Sequence, residues 1–351
     1  MQMCLRWYGI DDPVTLKKMK QIPNLTGIVT ALHEIPAGEV WDKSRLITRK
    51  DKIESEGLNF AAIESIPVHE DIKLGLDTRD ELIDNYCASV ENAGQVGIPV
   101  VCYNFMPVFD WTRSDLRMVL PDGSNCLSYS ERQIKKIDLT QGTHDLPGWG
   151  AAYSSKKLNA LLEAYKEINE DKLRENLEYF LKRVIPVAEQ HGVKMGIHQD
   201  DPPWPIFGLP RIVKNRKDLK ILTEMVNSPS NGISLCSGSL GADPKNNVAA
   251  IIREFGAKGK IVFAHCRNVK HVSRKSFHEA PHPTNCGSLD MFDIMKAYHE
   301  IDFDGPMRPD HGRMIWGETG HPGYGLYDRA LGAMYLNGLW EAINRNAENQ
   351  K

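Results

Sequence analysis

The sequence predicts a (β/α)8 barrel, a TIM-barrel α/β fold. Three observations point there. Eight short β-rich runs recur along the 351 residues, a helix-like stretch follows each, and most runs are continuously apolar rather than alternating. Continuous runs fit parallel strands covered on both faces, and strand–helix alternation gives βα units. A doubly wound open sheet uses the same units, but eight strands favour the closed barrel.

The runs lie at 4–9, 27–32, 59–68, 96–105, 193–200, 232–239, 260–269 and 305–312. Between the third and fourth, 78–97 (TRDELIDNYCASVENAGQVG) has an amphipathic pattern, as do 171–192 and 290–301. Gly97 and Gly192 sit where helix C-caps are expected. A final helix is expected over 326–344. A bare barrel takes about 250 residues, so about 100 remain for loops. Much of the surplus falls in 106–170, which is rich in Pro, Gly, Trp and Ser (MPVFDWTRSDLRMVLPDGSNCLSYS, then HDLPGWGAAY). An insertion after the fourth strand leaves the C-terminal face, so it is expected to form a lid over the mouth. The chain is read as one barrel domain over 1–351.

Apolar residues make up 41% and charged residues 25%, a globular mixture able to bury a large core. Lys+Arg number 43 against 46 Asp+Glu. That balance gives no electrostatic reason to expect nucleic acid or an anionic membrane. No apolar run approaches the roughly 20 residues of a membrane span. The seven cysteines are scattered without a CxxC pair, and MQMCLRWYG does not read as a signal peptide. Reduced thiols and a cytoplasmic location are expected.

Metal-ligand types close four successive strands. His198 ends the fifth (KMGIHQD), Cys236 the sixth (GISLCSGS) and Asp310 the eighth (GPMRPDHG), and His265 lies late in the seventh (KIVFAHCRN). Strand C-termini of a barrel converge on one pocket, so these four side chains can meet one ion. Taken singly each has another reading: a hydrogen-bonded core histidine, a buried thiol acting as a small hydrophobe, a helix N-cap. Two imidazoles, a thiolate and a carboxylate suit Zn²⁺, Fe²⁺ or Mn²⁺.

His311 follows Asp310 and suits acid–base work, with Arg308 and Arg313 beside it. Tyr324 lies between Gly323 and Gly325 in the next loop, where it can transfer a proton or stack. Arg6 and Trp7 close the first strand, Asn104 the fourth, and Arg267 and Asn268 extend the seventh. Polar strand-end residues of this kind are candidate substrate contacts. The span 271–286 holds His271, His278, His282 and Cys286 at spacings of no known finger, and is read as a loop. GSLGAD at 238–243 lacks a nucleotide-binding pattern.

Together CLRWYG at 4–9, MPVFDWTR at 106–113, HQDDPP at 198–203, LCSGS at 235–239, HCRN at 265–268, RPDHG at 308–312 and PGY at 322–324 resemble the mannonate dehydratase family. The resemblance implies a xylose-isomerase-like barrel holding Mn²⁺ or Fe²⁺ through His198, Cys236, His265 and Asp310. It implies dehydration of D-mannonate to 2-dehydro-3-deoxy-D-gluconate in hexuronate catabolism, with His311 and Tyr324 as the acid–base pair. It also implies a homodimer or larger homo-oligomer. The chemistry fits: removing the weakly acidic C2 proton and expelling the C3 hydroxyl calls for enolate stabilisation, a base and an acid. His311 is expected as base, with Tyr324 on the opposite side of the substrate, and Arg6 and Arg308 offsetting the substrate's charge. A metal-dependent isomerase or epimerase, or a non-catalytic barrel with structural zinc, are the alternatives.

Overall fold

The computed structural model describes residues 1–139 and 153–349. Eight parallel strands close a barrel: β1 (Gln2–Arg6), β2 (Leu25–Thr30), β3 (Asn59–Glu64), β4 (Val100–Tyr103), β5 (Lys194–His198), β6 (Asn231–Cys236), β7 (Ile261–Cys266) and β8 (Pro306–Pro309). They follow one another around the ring in chain order, and β8 pairs with β1. Each overlaps a predicted run, and all eight stop short of its end. The trailing residues of those runs belong to the loops that build the mouth.

The helices between strands pack their apolar stripes onto the barrel. Glu170–Gln190 buries Leu173, Leu177, Phe180, Leu181, Val184, Ile185 and Ala188, the spacing of one helical face. Its start is fixed by Asn169, whose side chain accepts a hydrogen bond from Lys172 N. Helices Arg79–Gln95 and Glu170–Gln190 end two residues before the expected cap glycines, and Gly97 and Gly192 then take left-handed φ values of 78° and 69°. The last helix is Leu326–Glu348. Inside the barrel, Cys4, Val29, Val100, Cys102, Val262 and Phe263 form an apolar floor.

The loops after β4, β7 and β8 are more ordered than the sequence suggested. Strands Asp115–Val119 and Asn125–Ser130 of the insertion join Asn268–Ser273, Ser276–Ala280 and Arg313–Met314 in an antiparallel sheet. The span read as a loop at 271–286 is thus largely a hairpin. Its alternation is short and rich in His and Ser, which hid the period of two. A second apolar cluster supports this sheet, including Phe109, Tyr129, Trp204, Val269 and Phe277. Part of the expected lid, 140–152 with most of HDLPGWGAAY, lies outside the described residues.

Candidate active site

Register sets which side chains meet. Cys236 pairs with His265, and His265 with Arg308. His198 pairs with Ser234, two residues before Cys236. Parallel partners share a face and the side-chain period is two, so these groups turn to the same interior. One ligand atom each from His198, Cys236 and His265 lies within 4.8 Å of the others, the one such group among the described residues.

The three donors are prepared differently. The Nδ1 of His198 bonds to the Gln199 carbonyl at 2.7 Å, and Gln199 Oε1 accepts from Cys236 N at 2.7 Å. This leaves Nε2 of His198 toward the sulfur. The Cys236 Sγ accepts from Ser239 N at 3.4 Å at the head of a short helix. Burial alone would raise the Cys236 thiol, but the Arg267 charge and the His198 bond hold it well below its usual range. Burial would likewise lower His198, yet the sulfur and nearby carboxylates push it up to about 9. The sulfur is therefore a thiolate, the form that binds metal. His265 is wholly buried, edge-on to Phe263 at 4.4 Å, and its Nε2 has no well-formed hydrogen bond, only a contact with Glu64 Oε2 at 3.4 Å. A buried imidazole so weakly satisfied, beside a thiolate and a second imidazole, fits a soft divalent cation.

Asp310 stands next to these three. Its Oδ2 is 3.6 Å from Cys236 Sγ, while Oδ1 pairs with Arg308 at 2.7 Å and Oδ2 with Arg267 at 3.3 Å. Arg308 also forks onto Glu64 at 2.7 and 3.0 Å, and Arg6 reaches Glu64 at 3.0 Å. The Nε of Arg6 is buried without a partner. Glu64 was not singled out in the sequence, although it ends β3 as the other candidates end their strands.

His311 is packed, not free. It lies over Trp111 with ring centroids 5.1 Å apart, and its Nδ1 is 3.2 Å from Glu279. Arg267 Nη1 is 2.9 Å from Nε2. Behind it, Arg113 bonds Asp201 at 2.8 and 3.0 Å and Glu279 at 2.8 Å, and Arg267 bonds the same two carboxylates at 2.7 and 2.8 Å. All four are essentially unexposed. Sequence reasoning missed Arg113, Asp201 and Glu279; the first two lie within motifs that were quoted, and no local signal marks the third.

Tyr324 meets His311 edge to face at 5.6 Å and Tyr8 at 5.0 Å. Burial, then the Tyr8 and Asp310 charges, push its hydroxyl well above the usual range, so it stays protonated. Both residues line the same cavity.

A cavity of about 520 Å³ brings together Arg6, Asn104, His198, Asp310, His311 and Tyr324, with Arg308 and Glu64. Trp7 and Asn268 lie elsewhere. Trp7 alternates with Arg6 to the opposite face and is buried in the core. Asn268 ties loops together, donating to Pro283 O at 3.2 Å and accepting from Leu289 N at 3.1 Å. Arg267 sits behind the cavity wall, within the ion network.

The chain is similar to known proteins over nearly its whole length. A family model described as D-mannonate dehydratase (UxuA) matches residues 1–350. The mannonate dehydratase of Streptococcus agalactiae serotype III (strain NEM316) is 54% identical over 348 residues, covering 99% of this chain and 100% of that one. The crystal structure of mannonate dehydratase from Streptococcus suis serotype 2 superposes with a TM-score of 0.93 at 47% identity, covering 99% of this chain and 96% of that one. A D-tagatose 3-epimerase-like protein, at 13% identity and a TM-score of 0.56 over 99% of this chain and 100% of that one, shares the fold alone.

Proposed function

The chain belongs to the D-mannonate dehydratase family, and from that premise we propose the following reading. It is a hydro-lyase that removes water from D-mannonate to give 2-dehydro-3-deoxy-D-gluconate, in hexuronate catabolism. The observation that carries the reading is a cluster of one thiolate and two imidazoles, one of which, His198, lines the cavity that also holds Asp310, His311 and Tyr324.

His198, Cys236, His265 and Asp310 would hold one Mn²⁺ or Fe²⁺, which supplies Lewis-acid stabilisation of the charge that develops next to the carboxylate. The rest falls to the chain. Arg6 offers its unpartnered Nε to the sugar acid. Arg308 is committed to Glu64 and Asp310, so it holds those carboxylates in place. Glu279 accepts from Nδ1 of His311 and fixes the ring, and Nε2, on which Arg267 Nη1 rests at 2.9 Å, accepts the proton from C2 once that contact gives way. The Tyr324 hydroxyl, held protonated by burial, delivers a proton to the departing C3 hydroxyl. The accessory sheet, built from loops on the C-terminal side of the barrel, restricts water at the mouth.

An isomerase or epimerase is not favoured: the family match spans the chain, whereas the likeness to an epimerase is one of fold. The same reading includes a cytoplasmic enzyme, supported by seven free cysteines. It also includes a homo-oligomer, supported by an exposed apolar group of Trp316, Tyr327, Leu331 and Met334. No helix among the described residues is long and apolar enough to cross a membrane. A panel of aldonates with Mn²⁺ tests the function. D-mannonate should give the 2-keto-3-deoxy product fastest, and no product from any aldonate would overturn the reading.

A further inference from the structure

Four described carboxylates border the cavity, and three are neutralised by arginine. Glu64 binds Arg6 and Arg308, Asp201 binds Arg113 and Arg267, and Asp310 binds Arg308 and Arg267. The fourth, Asp110, has no ion-pair partner among the described residues; its side chain accepts one hydrogen bond, from Asn104 Nδ2 at 3.1 Å. Trp111, the next residue, stacks on His311, and Asp110 itself lines the cavity. It hangs from the loop after β4, across the ring from β8 and its arginine. A site for an anionic sugar acid thus carries, on its other side, a carboxylate with no direct ion pair, the Lys73 and Arg211 charges acting on it from farther off. Such a charge accepts hydrogen bonds from neutral hydroxyls and repels a second anion.

Resting on the function proposed above, we propose that Asp110, positioned by Asn104, reads the far end of the sugar acid. It accepts a hydrogen bond from the terminal hydroxyls and excludes chains that carry a second anionic group there. The test compares D-mannonate with D-mannarate, which has a carboxylate at each end, on the intact protein with Mn²⁺. Turnover is read for D-mannonate, and binding of both acids by calorimetry. In the wild type D-mannarate should bind at least about tenfold more weakly, and Asp110→Asn should narrow that gap by about tenfold while raising KM for D-mannonate more than it lowers kcat. Equal binding of the two acids by the wild type would overturn the proposal, with or without a folded variant. So would an unchanged gap in a folded variant. A collapse of kcat at constant KM would overturn it too, and would make Asp110 a proton-transfer group. Absence of D-mannonate turnover in the wild type would instead refute the function, while the binding gap would still decide the role of Asp110.

Discussion

His311 and Tyr324 are the residues on which rate should depend most. They meet edge to face, and neither is among the proposed metal ligands. Replacing His311 with Ala or Tyr324 with Phe should leave bound metal unchanged and lower kcat by about 10²–10⁴-fold, the usual worth of a positioned acid or base. Metal analysis beside steady-state kinetics checks this, and a change under tenfold would demote the residue. His198, Cys236 and His265 were legible because the alternation of a strand puts a terminal side chain at a known place. Glu64 obeys the same rule but was passed over, because a lone acid at a strand end reads as an ordinary loop residue. Asp201 and Glu279 were hidden for a different reason. Their shared partner Arg113 is 88 and 166 residues away, and no local pattern reports such a pairing.

The elements above the barrel are held by that ion network. Arg113 comes from the insertion, Asp201 from the loop after β5, and Glu279 from the hairpin after β7. Removing one member strands buried charges, so Arg113→Ala should cost about 3–5 kcal/mol in stability, read from denaturant melts. A loss under 1 kcal/mol would mean that the network contributes little. Burial would raise the carboxyls of Asp201 and Glu279, but the charges of Arg113, Arg267 and His311 hold both below the usual range. Their contribution is therefore present above the ordinary carboxylate pKa and is lost as pH falls through and below it. Melts between about pH 7 and pH 3 should fall more steeply in the wild type than in Glu279→Gln; parallel curves would refute the link. Helices and barrel strands were readable from apolar period, and the hairpin was not, because it buries few apolar side chains, among them Val269, Phe277 and Ala280, between His, Ser and Lys residues.

At the scale of the whole molecule, strand order makes a single centre out of distant segments. Closing the ring brings β1 against β8, and sets the ends of β5 to β8 side by side. The sequence could give that count and order, since eight runs with helices between them leave few other ways to bury both faces. It could not give the accessory sheet, whose strands come from three separate loops. A cation bound by the folded form alone should raise the melting temperature of chelated protein in proportion to the logarithm of Mn²⁺ above its Kd. A melting temperature indifferent to Mn²⁺ and Fe²⁺ would argue against the centre. The most direct measurement is D-mannonate turnover by chelated wild type and Cys236→Ser, each before and after addition of Mn²⁺ or Fe²⁺. Product should form only in the metal-restored wild type; full turnover by the chelated enzyme, or by the serine variant, would contradict a thiolate-held catalytic cation.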